Sequence, residues 1–182
     1  MRADGIGIPG GVIQRRLVCA ALLAVLWIAS GAAQSGIDPA LLKRLFPAAA
    51  SFSPKGGDPP HVKALTGDGK TIVGFAFWTT ELEPLERGYD GPIKILVGMD
   101  MKGLLTGIVV TEHHEPYGNF SIEPPQFAAQ FKGKDVRDRF RVGMDVDAVS
   151  RASITMGSAT RAIRNSARRI ARQYLASPDA AK

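Results

Sequence analysis

Residues 93–113 decide the fold, and they read IKILVGMDMKGLLTGIVVTEH. Two runs rich in β-branched and aliphatic residues flank the short segment Asp100-Met101-Lys102-Gly103, whose glycine tolerates the positive φ that tight turns require. Strands of this composition on either side of such a turn predict a β-hairpin that pairs 93–99 with 104–113.

A second hairpin is predicted just upstream of the first. Residues 62–66 and 71–79 have the same strand composition and are separated by Gly67-Asp68-Gly69-Lys70. Gly74 lies inside the second of these strands, and an interior glycine indicates a bulge or the close approach of another chain segment. The two hairpins together predict an antiparallel sheet.

Helical patterns lie on both sides of the hairpins. Asp38 before Pro39 is typical of a capped helix start, and this short amphipathic helix is expected to end at Pro47. Residues 47–60 predict a linker or a wrapped loop. A further helix is expected to begin at Pro124-Pro125 and to end at Gly133.

The final helix has the clearest periodicity, with one apolar stripe, one arginine stripe and Ser158 as the expected N-cap. The arginine stripe is either a solvated helix face or a surface that attracts phosphate or an acidic partner. The fold class is therefore α+β: an antiparallel sheet built from two hairpins, flanked by helices, with a C-terminal amphipathic basic helix. The apolar stripe comprises Ala159, Ile163, Ala167, Ile170, Ala171 and Tyr174, and the arginine stripe comprises Arg161, Arg164, Arg168 and Arg172.

The composition suits one globular core and excludes several classes of protein. The 182 residues are 45% hydrophobic, and the single cysteine, Cys19, excludes an intramolecular disulfide and a zinc site of the CxxC type. The formal net charge is +6. Basic and aromatic residues do not alternate in the way that stacks nucleic-acid bases, so we expect no nucleic-acid partner.

Residues 15–33 have the order of an export signal. Arg15-Arg16 precede the apolar run 17–30, and the small residues Gly31-Ala32-Ala33 follow it. Cleavage after Ala33 is expected, and an uncleaved membrane anchor is the alternative. Either interpretation places the remainder in the periplasm. The expected division is 1–33 signal or anchor, 34–60 short helix and linker, 61–177 functional domain and 178–182 tail.

Two stretches resemble one known family. Residues 147–155 read DAVSRASIT, and the helix after them carries SARRIAR at 166–172. This combination is similar to the C-terminal part of the exported FMN-binding domain, which occurs in a nitrous-oxide-reduction regulator and in flavin subunits of sodium-pumping and Rnf-type redox complexes. Residues 92–116 resemble the strand-turn-strand unit of that family, which ends in a loop at the flavin. The resemblance extends over roughly residues 62–175.

The resemblance implies a site for covalent FMN. The family pattern is Asp, two variable residues, Ser or Thr, Gly, Ala, then Thr or Ser, and a flavin transferase attaches FMN through its phosphate to the last hydroxyl. By this match Ser153 is the acceptor, Asp147 the acid, Ser150 the first hydroxyl and Ala152 the alanine. Arg151 departs from the pattern, since it stands where the family has glycine. Its bulk opposes attachment, whereas its guanidinium could pair with the flavin phosphate.

Four more residues complete the expected cofactor site. Ile154 and Thr155 follow the acceptor, and His113 and Glu115 lie in the loop that the family places at the flavin. Thr160 is a competing acceptor because Gly157-Ser158-Ala159-Thr160 echoes the motif, but it falls inside the predicted helix. No catalytic residue and no metal ligand are assigned.

The resemblance implies an exported FMN flavoprotein that transfers electrons and is not a stand-alone enzyme. Its partners would be redox proteins or a membrane redox complex, with a flavin transferase for maturation. The alternative is a domain of the same fold without flavin, serving an exported oxidoreductase as a regulatory or assembly module, and Arg151 favours it. A third possibility is an exported metalloenzyme that uses the His and Glu residues of 112–115.

Export makes a prediction about the mature protein. Gly31 and Ala33 offer small side chains to a signal peptidase, so the mature chain should begin near Gln34 or Ser35. N-terminal sequencing of protein from the periplasmic fraction measures this. A full-length chain that is released only by detergent would contradict cleavage and support the anchor.

Overall fold

The computed structural model describes residues 36–175, and the segments 1–35 and 176–182 lie outside the described residues. The signal segment 1–33 and the tail 178–182 are therefore outside it. The elements follow one another as α1 (Pro39–Leu45), β1 (Ser51–Phe52), β2 (Val62–Leu65), β3 (Ile72–Trp78), α2 (Thr79–Leu82), β4 (Lys94–Asp100), β5 (Leu105–Glu112), α3 (Gly118–Ser121), α4 (Pro125–Ala129) and α5 (Ser153–Tyr174).

The predicted α+β class and both hairpins are confirmed. Five strands form one antiparallel sheet in the order β1-β2-β3-β4-β5, and the two hairpins join through β3 and β4, where Phe75 lies opposite Met99. The linker expected at 47–60 differs in one respect, because its Ser51–Phe52 pairs with β2 as an extra edge strand. A two-residue strand has no periodicity of its own, so the sequence pattern could not reveal it.

Helices cover both faces of the sheet. On what we call the α1 face, Leu42, Leu45 and Phe46 pack on Ala76 and Leu96. The opposite side, the α5 face, carries the larger core. Because strand side chains alternate in direction, neighbouring residues of β3 and β4 supply the two cores in turn. The α5 face includes Phe75, Phe77, Ile95, Val97 and Met99 from the sheet, with Phe127, Phe131, Met156, Ile163 and Ile170 from the helical side.

Helix α5 starts earlier than predicted. Ser158 is not its N-cap, because the helix begins at Ser153 with Ala152 in the cap position, and Ser158 is buried within the helix. Ala152 offers no side-chain oxygen, so the usual start signal is missing from the sequence. At 22 residues the helix is about 33 Å long. No helix within residues 36–175 is both long and apolar enough to cross a membrane.

The arginine stripe of α5 is not simply solvated. The Arg161 guanidinium lies 2.7 Å from a Glu86 carboxylate oxygen, and Arg168 donates hydrogen bonds of 2.8 Å to the carbonyls of Val136 and Asp138. These arginines fasten neighbouring loops to the helix, which leaves fewer of them available to an outside anion.

The C-terminal end of α5 is held by an aromatic clasp. The Tyr174 hydroxyl donates to the Asp58 carbonyl at 2.9 Å, and the Tyr174 ring lies 4.5 Å from the buried His61 ring. His61 also meets Phe75 edge-on. Burial lowers the pKa of His61 despite its hydrogen bond to the Pro59 carbonyl, so the ring stays neutral at physiological pH.

Gly74 satisfies both parts of its prediction. The pairing with β2 shifts register beside it, and a Cβ at this position would lie 2.5 Å from the Met99 carbonyl oxygen and 2.5 Å from Phe46 Cε1. The strand therefore needs glycine here so that β4 and the Phe46 ring can approach its backbone.

This close approach gives a stability prediction. Gly74→Ala should lower the free energy of unfolding by about 1–3 kcal/mol, because the added methyl overpacks a site with backbone on one side. Gly67→Ala is the matched control, since a Cβ there would meet nothing within 4 Å, and it should change stability little. Urea unfolding followed by circular dichroism measures both. Equal effects of the two substitutions would contradict the inference that β4 and Phe46 require glycine at position 74.

Candidate functional site

The N-terminus of α5 begins from a tight turn. The Ala152 N–H donates to the Val149 carbonyl at 3.2 Å, and Arg151, the third residue of this turn, has φ 67°. A four-residue turn of this kind favours glycine at its third position, because only glycine adopts positive φ without a steric cost. Arg151 therefore has the positive φ that the glycine of the family pattern would adopt without steric cost.

Ser153 stands at the first position of α5 with an exposed side chain. The N–H groups of Ser153, Ile154 and Thr155 have no carbonyl partner within the helix, because the first turn of any α-helix lacks one. The helix dipole adds positive potential at the same end. A hydroxyl is therefore presented to solvent beside backbone donors that suit an anion.

A buried carboxylate fixes the surroundings of this turn. Glu115 accepts hydrogen bonds from the N–H groups of Tyr89 at 3.0 Å and Asp90 at 2.9 Å, and Thr155 Oγ1 donates to it as well. A Cβ on Gly88 would lie 2.6 Å from Glu115 Cδ, so only glycine lets the loop approach this closely. Glu115 therefore joins the loop before β4, the loop after β5 and the start of α5.

Glu115 is ionised in spite of its burial. Desolvation raises the pKa of this carboxyl, but the hydrogen bonds from Thr155, Asp90 and Tyr89 outweigh it and hold the pKa below the ordinary glutamate value. The stability that Glu115 contributes is therefore present above that ordinary value and decreases as the pH falls through the lowered pKa.

A pocket of about 310 Å³ opens beside Ser153. Its lining contains a hydroxyl from Ser153 and a cationic side chain from Arg151. It also contains apolar surface, since Tyr89 is 70% exposed and Ile154 is 56% exposed. Tyr117 at the rim lies 5.3 Å from the Phe120 ring, centroid to centroid. The lining residues are Tyr89, Pro116, Tyr117, Arg151, Ser153, Ile154 and Thr155.

The pocket brings together four of the nine residues expected from the sequence: Arg151, Ser153, Ile154 and Thr155. Glu115 lies directly behind it through its bonds to Thr155 and Tyr89. The remaining four are not in its lining: Asp147, Ser150, Ala152 and His113.

Those four residues have other positions. Ala152 is buried in the core, whereas Asp147 is exposed before the turn and Ser150 is exposed as its second residue. The Asp147 N–H donates to Gln130 Oε1 at 2.6 Å, and the residue is exposed to solvent.

His113 contributes to the site only at a distance. Its Nδ1 accepts the Glu115 N–H at 3.2 Å, so its proton is on Nε2, which lies 3.2 Å from a Glu123 oxygen. The strand ends at Glu112, and His113 and Glu115 go to different partners. Within residues 36–175 no three or more His, Cys, Asp or Glu side chains come close enough together to hold a metal ion.

The competing acceptor Thr160 lies in the core. Its side chain is 1% exposed and sits on the buried face of α5, as the predicted helix placement required. A transferase could not reach this hydroxyl without unfolding the helix.

Three residues of the pocket are not among the site residues expected from the sequence: Tyr89, Pro116 and Tyr117. Pro116 and Tyr117 directly follow Glu115 in the chain, and this position was an available signal. Tyr89 had no such signal, because it reaches the pocket through a hydrogen bond to Glu115, 26 residues away in the chain.

The comparisons with known proteins agree with this geometry. Residues 88–168 match the family model described as the FMN-binding domain, a span that contains Gly88, Glu115 and Ser153. One component of an ion-translocating oxidoreductase complex from Yersinia pestis is 33% identical over 118 residues, which cover 59% of this chain and 54% of that protein. The chain thus matches about half the length of this relative. The resemblance to the FMN-binding domain family is confirmed, and FMN is its cofactor.

The buried carboxylate makes a testable difference to stability. In Glu115→Gln one amide N–H₂ would face the Tyr89 or Asp90 N–H, donor against donor. The free energy of unfolding at pH 7 should therefore fall by about 1–3 kcal/mol. Wild-type stability should also decline below about pH 4.3, the ordinary glutamate pKa, and the variant should show less of this decline.

Denaturant unfolding at a series of pH values measures both effects. The matched control is Glu112→Gln, whose carboxylate is 68% exposed in its ion pair with Lys94. It should change stability by less than about 1 kcal/mol. A Glu115→Gln variant with wild-type stability and wild-type acid dependence would rule out the structural role of Glu115.

Proposed function

We propose that this chain is an exported electron-transfer module that carries FMN bound through its phosphate to the Ser153 hydroxyl. The observation that carries the proposal is the exposed hydroxyl of Ser153 on the first turn of α5, beside a pocket with apolar and cationic walls. Bound FMN supplies the reversible uptake and release of electrons. The chain itself binds and orients the cofactor and is not a stand-alone enzyme.

The residues at the helix start fit a phosphate ester. The N–H groups of Ser153, Ile154 and Thr155 and the positive helix end favour a negative group there. The Glu115 carboxylate does not compete for these donors, because it already accepts from Tyr89, Asp90 and the Thr155 hydroxyl. Arg151 lines the same pocket and would add a mobile cation to the phosphate.

The apolar walls fit the flavin ring. A volume of about 310 Å³ is at the lower end for a small-molecule site, so the pocket would enclose only part of the cofactor. Tyr89, Tyr117 and Ile154 would contact the ring, and an incompletely enclosed ring suits exchange of electrons with another protein.

Asp147 has a separate proposed role. Its carboxylate lies on the surface outside the pocket lining, so it would act during attachment and not in the finished site. A transferase that positions its nucleotide through a divalent cation would find an oxygen ligand in Asp147.

The partners follow from the relative, which belongs to an ion-translocating oxidoreductase complex. We propose that redox proteins or a membrane redox complex exchange electrons with this chain, and that a flavin transferase in the periplasm loads it. The proposed N-terminal signal, or an uncleaved anchor, would bring the domain to that compartment.

One observation favours a second candidate function. The Arg151 side chain lines the pocket that contains the acceptor, and its bulk there could exclude the transferase. The domain would then act without covalent flavin, as a regulatory or assembly module for an exported oxidoreductase.

Co-expression with a periplasmic flavin transferase separates the two functions. We expect an increase in intact mass of one FMN less one water, with flavin absorbance that survives denaturation. Ser153→Ala should abolish the adduct, because the hydroxyl forms the bond to phosphorus. Asp147→Ala should reduce it. Thr160→Ala is the control and should keep it, since Thr160 is buried.

Arg151→Gly is the decisive companion variant. It should raise the modified fraction by removing bulk, and it should add about 1 kcal/mol of stability by relieving positive φ in a non-glycine residue. An adduct that persists in Ser153→Ala but disappears in Thr160→Ala would make Thr160 the acceptor. If no variant, including Arg151→Gly, gains an adduct, the module without covalent flavin becomes the better description.

A further inference from the structure

Strand β5 leaves one edge of the sheet open. It is the last strand in the order, and Leu105 alone bonds outward, donating to the Lys134 carbonyl at 2.8 Å and accepting from the Gly133 N–H at 2.7 Å. Among residues 36–175, nothing pairs with the outward backbone groups of 107–112. These six residues would span about 20 Å of unpaired edge.

This edge forms the floor of a large trough of about 1030 Å³. Arg44 and Leu45 at the end of α1 form one wall, and α4 with the residues that follow it forms the other. The two walls belong to opposite faces of the sheet, since α1 and α4 pack on different cores. The trough shares no lining residue with the pocket beside Ser153.

The walls restrict what can reach the edge. A second copy of this chain would bring its own α1 and α4 against these walls if it approached with its own β5. A single extended segment does not carry such flanks and can lie between them. Addition of an extended segment to an exposed sheet edge is a known mode of recognition, in which backbone hydrogen bonds supply affinity.

The charges of the trough indicate the chemistry of that segment. Of its two acidic side chains, Glu112 is neutralised by its ion pair with Lys94 at 2.7 Å, whereas Glu123 contacts the uncharged His113 ring at 3.2 Å. Arg44 and Lys132 are exposed, one on each wall, and neither makes an ion pair with any residue of the described chain. The trough therefore has an unpaired cation on each wall and only Glu123 to offset them, and this excess of positive charge complements an acidic segment.

The geometry points to a second binding site, in which the outer edge of β5 takes an extended acidic segment of a partner protein as a sixth strand. Successive side chains of a strand point to opposite faces. Acidic residues an odd number of positions apart would consequently face the Arg44 wall and the Lys132 wall. This site is independent of the flavin and would hold a partner while leaving the Ser153 pocket open.

A peptide of alternating valine, threonine and glutamate, labelled with fluorescein, is the probe. Fluorescence anisotropy should show saturable binding to the purified protein. Alternate backbone nitrogens of a strand point to opposite edges. Methylating one set of alternate nitrogens should abolish binding, and methylating the other set should leave it nearly unchanged.

Charge reversal tests the walls. Arg44→Glu with Lys132→Glu should weaken binding by at least about tenfold. Lys70→Glu with Lys102→Glu is the matched control, because it changes net charge equally at exposed turn residues outside the trough. Thermal unfolding verifies that both double variants are folded.

Three results would each overturn the proposal. They are absence of peptide binding to the wild-type protein, equal loss of affinity with both methylated peptides, and equal loss in the two charge-reversal variants. A Ser153→Ala protein should bind the probe like the wild type, so failure here remains distinct from failure of flavin attachment.

Discussion

The Glu115 carboxylate is the constraint on which the pocket depends. An ionised carboxylate away from water is tolerated only when donors replace its hydration, and here Tyr89, Asp90 and Thr155 supply them. Each donor belongs to a segment that forms part of the pocket or its support. Satisfying one buried charge therefore also fixes the Tyr89 loop against the first turn of α5, and Gly88 permits the approach by having no side chain.

Different parts of α5 stabilise the fold and present the reactive hydroxyl. Residues such as Met156, Ile163 and Ile170 anchor the helix in the larger core. The first turn stays outside that core, with Ser153 and Ile154 exposed. A helix that is fixed along its length can hold a reactive hydroxyl in one orientation without burying it. This arrangement also explains why Thr160, on the buried face only two turns further, is a core residue and not a second acceptor.

The parts of the fold that sequence patterns predicted are those set by local rules. Both hairpins followed from strand composition and turn residues, and the confirmed α+β class followed from them. The start of α5 was predicted too late in the chain, because Ala152 provides no capping side chain and the turn at Arg151 sets the boundary instead. Strand β1 escaped prediction because its pairing with β2, not its sequence, defines it.

At the candidate site, too, the sequence predicted neighbouring residues and missed those that only tertiary contacts bring together. Arg151, Ser153 and Thr155 are neighbours in sequence, so a motif could place them together. Tyr89 could not be found this way, because the contact between Glu115 and Thr155 spans 40 residues and the Tyr89 loop joins it from a third segment. Such positions depend on tertiary packing, which a linear pattern does not encode.

The clasp at Tyr174 has a consequence for motion along α5. Helices ordinarily fray from both ends, and amide hydrogens in the terminal turns exchange with solvent fastest. Here the Glu115 network restrains the first turn, and the Asp58 carbonyl and the His61 ring restrain the last. The two restraints use different chain segments about 30 Å apart along the helix. One end can therefore open briefly while the other stays closed, and complete exposure of the helix backbone requires the core of the domain to unfold.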